Sequence, residues 1–236
     1  MRKESGIWED AKMEISAIEY LGLARVCKRG TGEILADQAH ALLIRDTVSG
    51  AYLLACEDNT AGLALLDRFV DSNCRLLMVS NAELGLIAFE KYGFAEKLVC
   101  YQVAYYGEKP SIDPAFSIRT AEKADYPMLL ESYHLVSPEE LFRLVRQKFI
   151  LLGYSDGHLV GFIGEHLEGS MGLLYVFPEY RRKGFGTALQ TALIAKTMEK
   201  GDLPFGQVET SNQRSLNLQK KLGMQQSEHL IVWMWK

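Results

Sequence analysis

Cysteine is scarce and poorly placed for cross-linking or metal binding. The 236 residues hold four, Cys27, Cys56, Cys74 and Cys100, all in the first half and with no Cys-x-x-Cys pair. That argues against a disulfide frame and against a zinc site, and reads as reduced thiols in a cytoplasmic protein. Positive charge is not in excess. The net charge of −4 argues against a dedicated nucleic-acid binder, although it leaves room for a local basic patch. No apolar run approaches membrane-spanning length, so no membrane partner is expected. Met-Arg-Lys-Glu-Ser-Gly leads into Trp-Glu-Asp and not into an apolar segment, so no secretory leader is expected either. Low-complexity tracts are absent. So are two phosphate signatures, the Gly-Lys-Ser/Thr of a Walker loop and the Gly-x-Gly-x-x-Gly of a dinucleotide fold. What remains, 48% hydrophobic and 24% charged, suits one or two globular domains.

One stretch organises the rest. From Met171 to Ala188 the chain reads Met-Gly-Leu-Leu-Tyr-Val-Phe-Pro-Glu-Tyr-Arg-Arg-Lys-Gly-Phe-Gly-Thr-Ala. Leu173 to Phe177 is an apolar run of buried-strand length. Pro178, with no N–H for a ladder, ends it. Arg181, Arg182 and Lys183 follow. Gly184 and Gly186 then open an amphipathic helix with Phe185, Leu189 and Leu193 at four-residue spacing. The first N–H groups of a helix have no partners within it, and its dipole is positive there. Glycines let that backbone approach an anion, and arginines add charge-assisted bonds. Strand, basic glycine loop and helix N-terminus together are the recipe for a pyrophosphate site; a plain basic turn before a helix is the alternative.

Around this stretch the chain alternates strands and helices. In the first half we expect a helix over Trp8 to Leu23, then strands at Glu33–Ala36, Ala41–Arg45 and Ala51–Cys56. A helix over Thr60–Val70, a strand over Arg75–Ser80, a helix over Ala82–Tyr92 and a strand over Leu98–Tyr106 follow. Gly107 to Pro114 is rich in turn formers and is read as a linker. The second half opens with a strand at Phe116–Arg119 and a helix over about Glu122–His134. Ser137-Pro-Glu-Glu140 signals a helix start with a capping box. Strands at Phe149–Tyr154 and His158–Glu165 flank Asp156-Gly157, a hairpin signal. After the organising helix, closed by Gly201, come a strand at Phe205–Glu209, a helix over Ser211–Leu222 and a strand at Leu230–Trp235. The fold class is α/β (α+β): a mixed, mostly antiparallel twisted sheet flanked by helices. Domains are expected at 1–108 and 115–236, joined by 109–114.

Arg181 to Gly186 fits Arg-x-x-Gly-x-Gly and resembles the acyl-CoA signature of the GNAT superfamily of N-acyltransferases. A second signature fits on a later helix. Asn212-Gln-Arg-Ser215-Leu-Asn-Leu218-Gln-Lys-Lys-Leu-Gly223-Met224 is similar to the superfamily's Asn-x-x-Ser/Ala-x-x-Leu-Tyr-x-x-x-Gly-Phe. The residues alone also allow an ordinary surface helix capped by Asn212. The likeness runs from about Phe116 to Lys236, and its Gln190–Met224 part looks most like the glycine N-acyltransferase branch.

The first half repeats the late order of elements. Its helix ends Lys91-Tyr-Gly93-Phe94, where the second half ends Lys221-Leu-Gly223-Met224, 130 residues on. We read two tandem GNAT-like units, the first degenerate; an unrelated α/β domain is the alternative. After Ala51–Cys56 the first half has Glu57-Asp-Asn-Thr-Ala-Gly62, two carboxylates in place of three cations. A diphosphate would be repelled there, so coenzyme A is expected on the second half only.

The resemblance implies a reaction and a site. Acetyl-CoA is the co-substrate, an amine of a small molecule or amino acid is the acceptor, and no metal is needed. Leu174, Tyr175 and Val176 would pair with the cofactor arm, and a backbone N–H there would polarise the thioester carbonyl. Arg181, Arg182, Lys183, Gly184, Phe185, Gly186 and Thr187 would hold the pyrophosphate; Asn212, Ser215 and Gln219 would lie along the arm. Two departures stand out. Gln219 occupies the usual tyrosine position, and Ser170 the usual glutamate position. The nearest carboxylates are Glu168 and Glu165, with His166 between them; each could equally be a solvated turn residue. Glu168 is the expected base, two residues from Ser170 and on its face, and Tyr175 a candidate proton donor. Two alternatives stay open: a non-catalytic acyl-CoA-binding module, and an RNA-phosphate binder using the Arg181–Lys183 patch. The first half would complete the sheet, cap the acceptor cleft or mediate a homodimer.

Overall fold

A computed structural model describes residues 16–236. The fold is mixed α/β, a large twisted and mostly antiparallel sheet flanked by helices. The expected first helix lies partly outside the described residues. Within them, a 3-10 turn at Ile18–Tyr20 leads into α1 (Leu21–Lys28), which continues five residues past Leu23. The remaining elements of the first half are β1 (Gly32–Gln38), β2 (Ala41–Asp46), β3 (Tyr52–Cys56), α2 (Asn59–Phe69), β4 (Leu76–Val79), α3 (Ala82–Lys91) and β5 (Glu96–Ala104). The second half has β6 (Phe116–Thr120), α4 (Tyr126–Ser132), α5 (Pro138–Arg146), β7 (Ile150–Ser155), β8 (His158–Glu165) and β9 (Met171–Val176). It closes with α6 (Phe185–Glu199), β10 (Phe205–Glu209), α7 (Gln213–Lys221) and β11 (Gln225–Trp235). Among the described residues no helix is long and apolar enough to cross a membrane.

Contacts divide the chain into two units, and not at the expected linker. Among the described residues, unit 1 takes those up to 103 together with 208–213 and 226–236; unit 2 takes 104–207 and 214–225. This division by contacts differs from the linear split at 109–114. The last strand of the chain belongs to unit 1, where β11 pairs antiparallel with β4 from Val232↔Val79 to Trp235↔Leu76. Its central residues supply the reason. Ile231, Val232, Trp233 and Met234 are buried, and they alternate between the two cores of unit 1. Val232 and Met234 join Leu43, Leu54 and Leu77 beneath α2 and α3; Ile231 and Trp233 join Leu42, Leu53 and Met78 beneath α1. Two-residue alternation buried on both faces is the signature of an interior strand.

Unit 2 carries strands in the order β10-β9-β8-β7-β6. The β7–β8 hairpin turns on Asp156 (φ 51°) and Gly157 (φ 77°), both left-handed, as the Asp-Gly signal requires. On one face, α5 buries Leu141, Leu144 and Val145. On the other lies α6, which buries residues around most of its girth, among them Leu189, Ala192, Leu193, Ile194 and Thr197. The amphipathic pattern read from Phe185, Leu189 and Leu193 describes only part of it. The expected helix over 122–134 is shorter: a 3-10 turn at Lys123–Asp125, then α4 ending at Ser132. A capping box does form, but at Glu122 and Asp125. At α5 Ser137 accepts from the Glu140 N–H at 3.1 Å, while the Glu140 carboxylate turns toward His166.

Candidate functional site

In unit 2, β9 departs from regular pairing along β8. Against β8 the partners run Glu165↔Met171 and Gly164↔Gly172, then resume at Phe162↔Tyr175. Leu173 and Leu174 thus oppose the single residue Ile163. Leu173 takes a left-handed backbone, φ 53°, while buried. An extra residue near a left-handed turn is a β-bulge, and bulges re-aim backbone groups. For a branched side chain that conformation is strained, and such strain gathers at functional sites. On the other edge β9 meets β10 in parallel, with Gly206 opposite Met171. Gly206 permits that approach, since a Cβ there would lie 2.7 Å from the Met171 carbonyl oxygen. Beyond it, Leu174, Tyr175 and Val176 are only partly buried. An extended ligand could pair with that edge as a strand does.

The two faces of β9 differ. Leu174 and Val176 lie toward α6, where a Cβ on Gly186 would meet both at about 4 Å. Tyr175 lies on the α5 face. Its ring stacks on Phe162 at 5.2 Å and meets the edge of Phe177 at 5.4 Å; Tyr133, which follows α4, closes on Phe162 at 6.0 Å. Burial, with the charge of Glu140, pushes the Tyr133 phenol up to about 12. The face beside the bulge is therefore aromatic and poorly hydrated.

The basic loop follows from β9. Pro178–Tyr180 is a 3-10 turn. Arg181, Arg182 and Lys183 are exposed. Arg181 Nε donates to the Val176 carbonyl at 3.0 Å, which fastens the loop to the strand end. Arg182 (φ 61°) and Gly184 (φ 90°) are left-handed. Gly184 is the N-cap of α6 and has no side chain to cover the first-turn N–H groups. Backbone amides of Phe185, Gly186 and Thr187 and three cations thus share one end of a fifteen-residue helix. Phe185 anchors that turn against Phe116 and Tyr180.

The expected carboxylates have separate placements. Glu165 is 5% exposed. It accepts from Thr197 Oγ1 at 3.1 Å and pairs with Lys200 at 3.2 Å. These contacts tie the end of β8 to the C-terminal end of α6. Glu168 is 6% exposed and accepts the Ser170 hydroxyl, itself fully buried. The serine at the usual glutamate position thus serves to hold a carboxylate two residues earlier. His166, which sequence reasoning ranked below Glu168, lies between Glu140 and β9. Burial opposes its charged form, but the contact with Glu140 and the charges of Glu168 and Glu140 raise its pKa overall. Glu140 was legible only as a capping residue; its nearness to His166 joins α5 to the β8–β9 turn, a link with no sequence signal.

Gln219 is buried and exchanges amide hydrogen bonds with Gln190 of α6, at 2.7 and 3.3 Å. An amide pair between two helices explains a glutamine there. Ser215 is partly buried on α7. Asn212, in unit 1, sits just before α7, and its N–H donates to the Glu209 carbonyl at 2.9 Å.

Among the described residues of unit 1 the arrangement after β3 is different. Its β3 and β4 stay paired over three residues, Tyr52↔Leu77 to Leu54↔Val79, and Ser80 N–H extends the ladder to the Leu54 carbonyl at 3.0 Å. The N-terminus of α2 is capped from within, because Asp58 accepts from the Thr60 N–H at 2.7 Å.

Residues 151–234 match the model of the family described as FR47-like protein. No curated protein matches the chain. Among solved structures, a Drosophila protein is similar at 18% identity and a TM-score of 0.68, over 94% of this chain and 91% of its own. A GCN5-related N-acetyltransferase of Kribbella flavida is similar at 11% identity and 0.56, covering 93% and 94%. A GCN5-related N-acetyltransferase-like protein of Streptococcus suis is similar at 16% and 0.53, covering 90% and 93%. These likenesses extend through both halves and establish the fold.

Proposed function

We propose that unit 2 transfers an acyl group from an acyl-CoA, acetyl-CoA in the simplest case, to a primary amine of a small molecule or amino acid. One observation carries the reading. The bulged β9, with Leu174 to Val176 only partly buried, leads directly into a cationic loop and an uncapped helix start. A pantetheine arm needs a strand edge, and the pyrophosphate at its end needs amides and cations at the end of that edge. Both are present, in that order. Arg181, Arg182 and Lys183 with the amides of Phe185 to Thr187 would hold the pyrophosphate, and Leu174 to Val176 the arm. The left-handed Leu173 would turn a backbone N–H toward the thioester carbonyl, where it stabilises developing negative charge. The FR47-like match over residues 151–234 supports acyl transfer for this half. The glycine N-acyltransferase branch, read from residues 190–224, would place an amino acid in the acceptor cleft.

Unit 1 is, in this proposal, a second copy of the same fold that has lost the ligand. Both copies end a helix in the same way. Gly93 and Gly223 are left-handed, and the next N–H reaches back five residues, Phe94 to Phe89 and Met224 to Gln219. The paired β3 and β4 and the capping Asp58 remove the gap and the free amides.

A non-catalytic acyl-CoA-binding module is the second reading, favoured by the engagement of Gln219 with Gln190 at the usual proton-donor position. Thiol release separates the two. With acetyl-CoA and a panel of primary amines and amino acids, free thiol should appear only when a suitable amine is present. Tight binding of coenzyme A without thiol release for any amine would favour the binding module.

A further inference from the structure

The turn between β8 and β9 carries a titratable cluster on the α5 face. The imidazole of His166 lies against Gly172, so close that a Cβ on that glycine would stand 2.4 Å from Nε2. Gly172 directly precedes Leu173, the left-handed residue of the bulge. At the other side of the ring, Nδ1 is 3.6 Å from the Glu140 carboxylate in the first turn of α5. The turn itself is closed by two backbone bonds, His166 N–H to the Ser170 carbonyl at 2.8 Å and Gly169 N–H to the His166 carbonyl at 2.9 Å. The imidazole side chain keeps 29% of its surface exposed, whereas Glu168 is buried and occupied by the Ser170 hydroxyl. Of the two, His166 is the one that sets a titratable atom against the bulged strand and keeps part of its side chain exposed.

We propose that His166 is the general base of the transfer, taking the acceptor's proton at Nε2 while Glu140 positions the ring through Nδ1. The proposal rests on the acyltransferase reading above. The acceptor's ammonium gives one proton to Nε2 and becomes a free amine. Its lone pair attacks the thioester carbonyl carbon, forming the C–N bond. Collapse of the adduct breaks the C–S bond, and the thiolate leaves with the electron pair. The second N–H proton, lost as the amide forms, goes to the thiolate, and the imidazolium returns its proton to solvent. Gly172 is part of the device, since any side chain there would displace the ring from the strand.

The charged groups that bear on the ring are Glu140 from α5 and Glu168 from its own turn. The Tyr133 phenol after α4 also senses Glu140. Both carboxylates favour the imidazolium, so the basic form grows only as pH rises through a raised pKa. Turnover should therefore climb with pH, and removing the Glu140 charge should move that limb to lower pH.

The test uses the full chain. It has five histidines, and loss of a signal in His166→Gln assigns the His166 ring by NMR. Saturating acetyl-CoA should shift that signal in the wild type, with no acceptor needed. His166→Gln should lower thiol release roughly a hundredfold while coenzyme A affinity, measured by calorimetry, is unchanged. Glu140→Gln, which keeps the imidazole, should lower the His166 pKa and shift the pH profile the same way. If acetyl-CoA binds and leaves the His166 signal unmoved, or if His166→Gln keeps the wild-type rate and profile, the proposal is overturned and the acyltransferase reading stands. If calorimetry shows no binding of coenzyme A to the wild type, both fall together.

Discussion

Ser170 shows how a single position can mislead a reading of the sequence and still mark the right place. A serine where a glutamate is usual suggests a lost function; in the structure its hydroxyl holds Glu168, two residues away on the same face. Glu165 was the second candidate carboxylate, and only the packing of α6 shows that it pairs with Thr197 and Lys200. A clearer electrostatic consequence lies in unit 1. Asp46 is fully buried. Burial pushes its pKa up, but hydrogen bonds from Ser49 and Thr31 and the charge of Arg29 outweigh that and lower it overall. A carboxyl lowered in the folded state stabilises above its unfolded pKa, and the stabilisation is lost as pH falls through the folded value. Thermal unfolding followed from neutral pH downward should show this acid loss, and Asp46→Asn should be less stable at neutral pH with a flatter acid limb. An Asp46→Asn melting curve parallel to the wild type at every pH would contradict the assignment.

At the scale of the element, β9 is fixed by what its neighbours lack. Gly161 on β8 lies so close to β9 that a Cβ would sit 2.2 Å from the Tyr175 carbonyl oxygen and 3.0 Å from the Val176 Cα. Backbone cannot yield as a side-chain tip does. Gly161→Ala should therefore destabilise the protein by about 1–3 kcal/mol, as overpacking does, and should weaken coenzyme A binding because the displaced residues are the proposed edge for the cofactor arm. Denaturant unfolding with calorimetry checks both, and unchanged values in the variant would refute the close contact. Most elements were legible: hydrophobic runs, the Asp156-Gly157 turn, Pro178 and the Arg181–Gly186 loop all fall where expected. The bulge was not, because Leu173 is an ordinary strand residue by composition and its left-handed backbone is imposed by pairing. Nor was the true length of β11, whose first five residues, Gln-Gln-Ser-Glu-His, read as polar loop.

At the scale of the whole molecule, the resemblance correctly gave the fold class, but local sequence could not give the threading. A turn-rich segment at 109–114 looks like a boundary; the assignment of residues 226–236 to unit 1 comes from long-range pairing, which no local signal encodes. The two units differ in the strand and helix start compared above. In unit 2 the bulged β9 leads into three cations and a helix start with no side-chain cap; in unit 1 β3 and β4 stay paired and Asp58 caps α2. The central claim is that this difference decides where an acyl-CoA binds. Calorimetric titration of the full chain with coenzyme A tests it most directly. The account predicts one site per chain, with affinity lowered by several kcal/mol in Arg182→Glu, where an attractive contact becomes repulsive. Two sites per chain, or an unchanged affinity in Arg182→Glu, would contradict it.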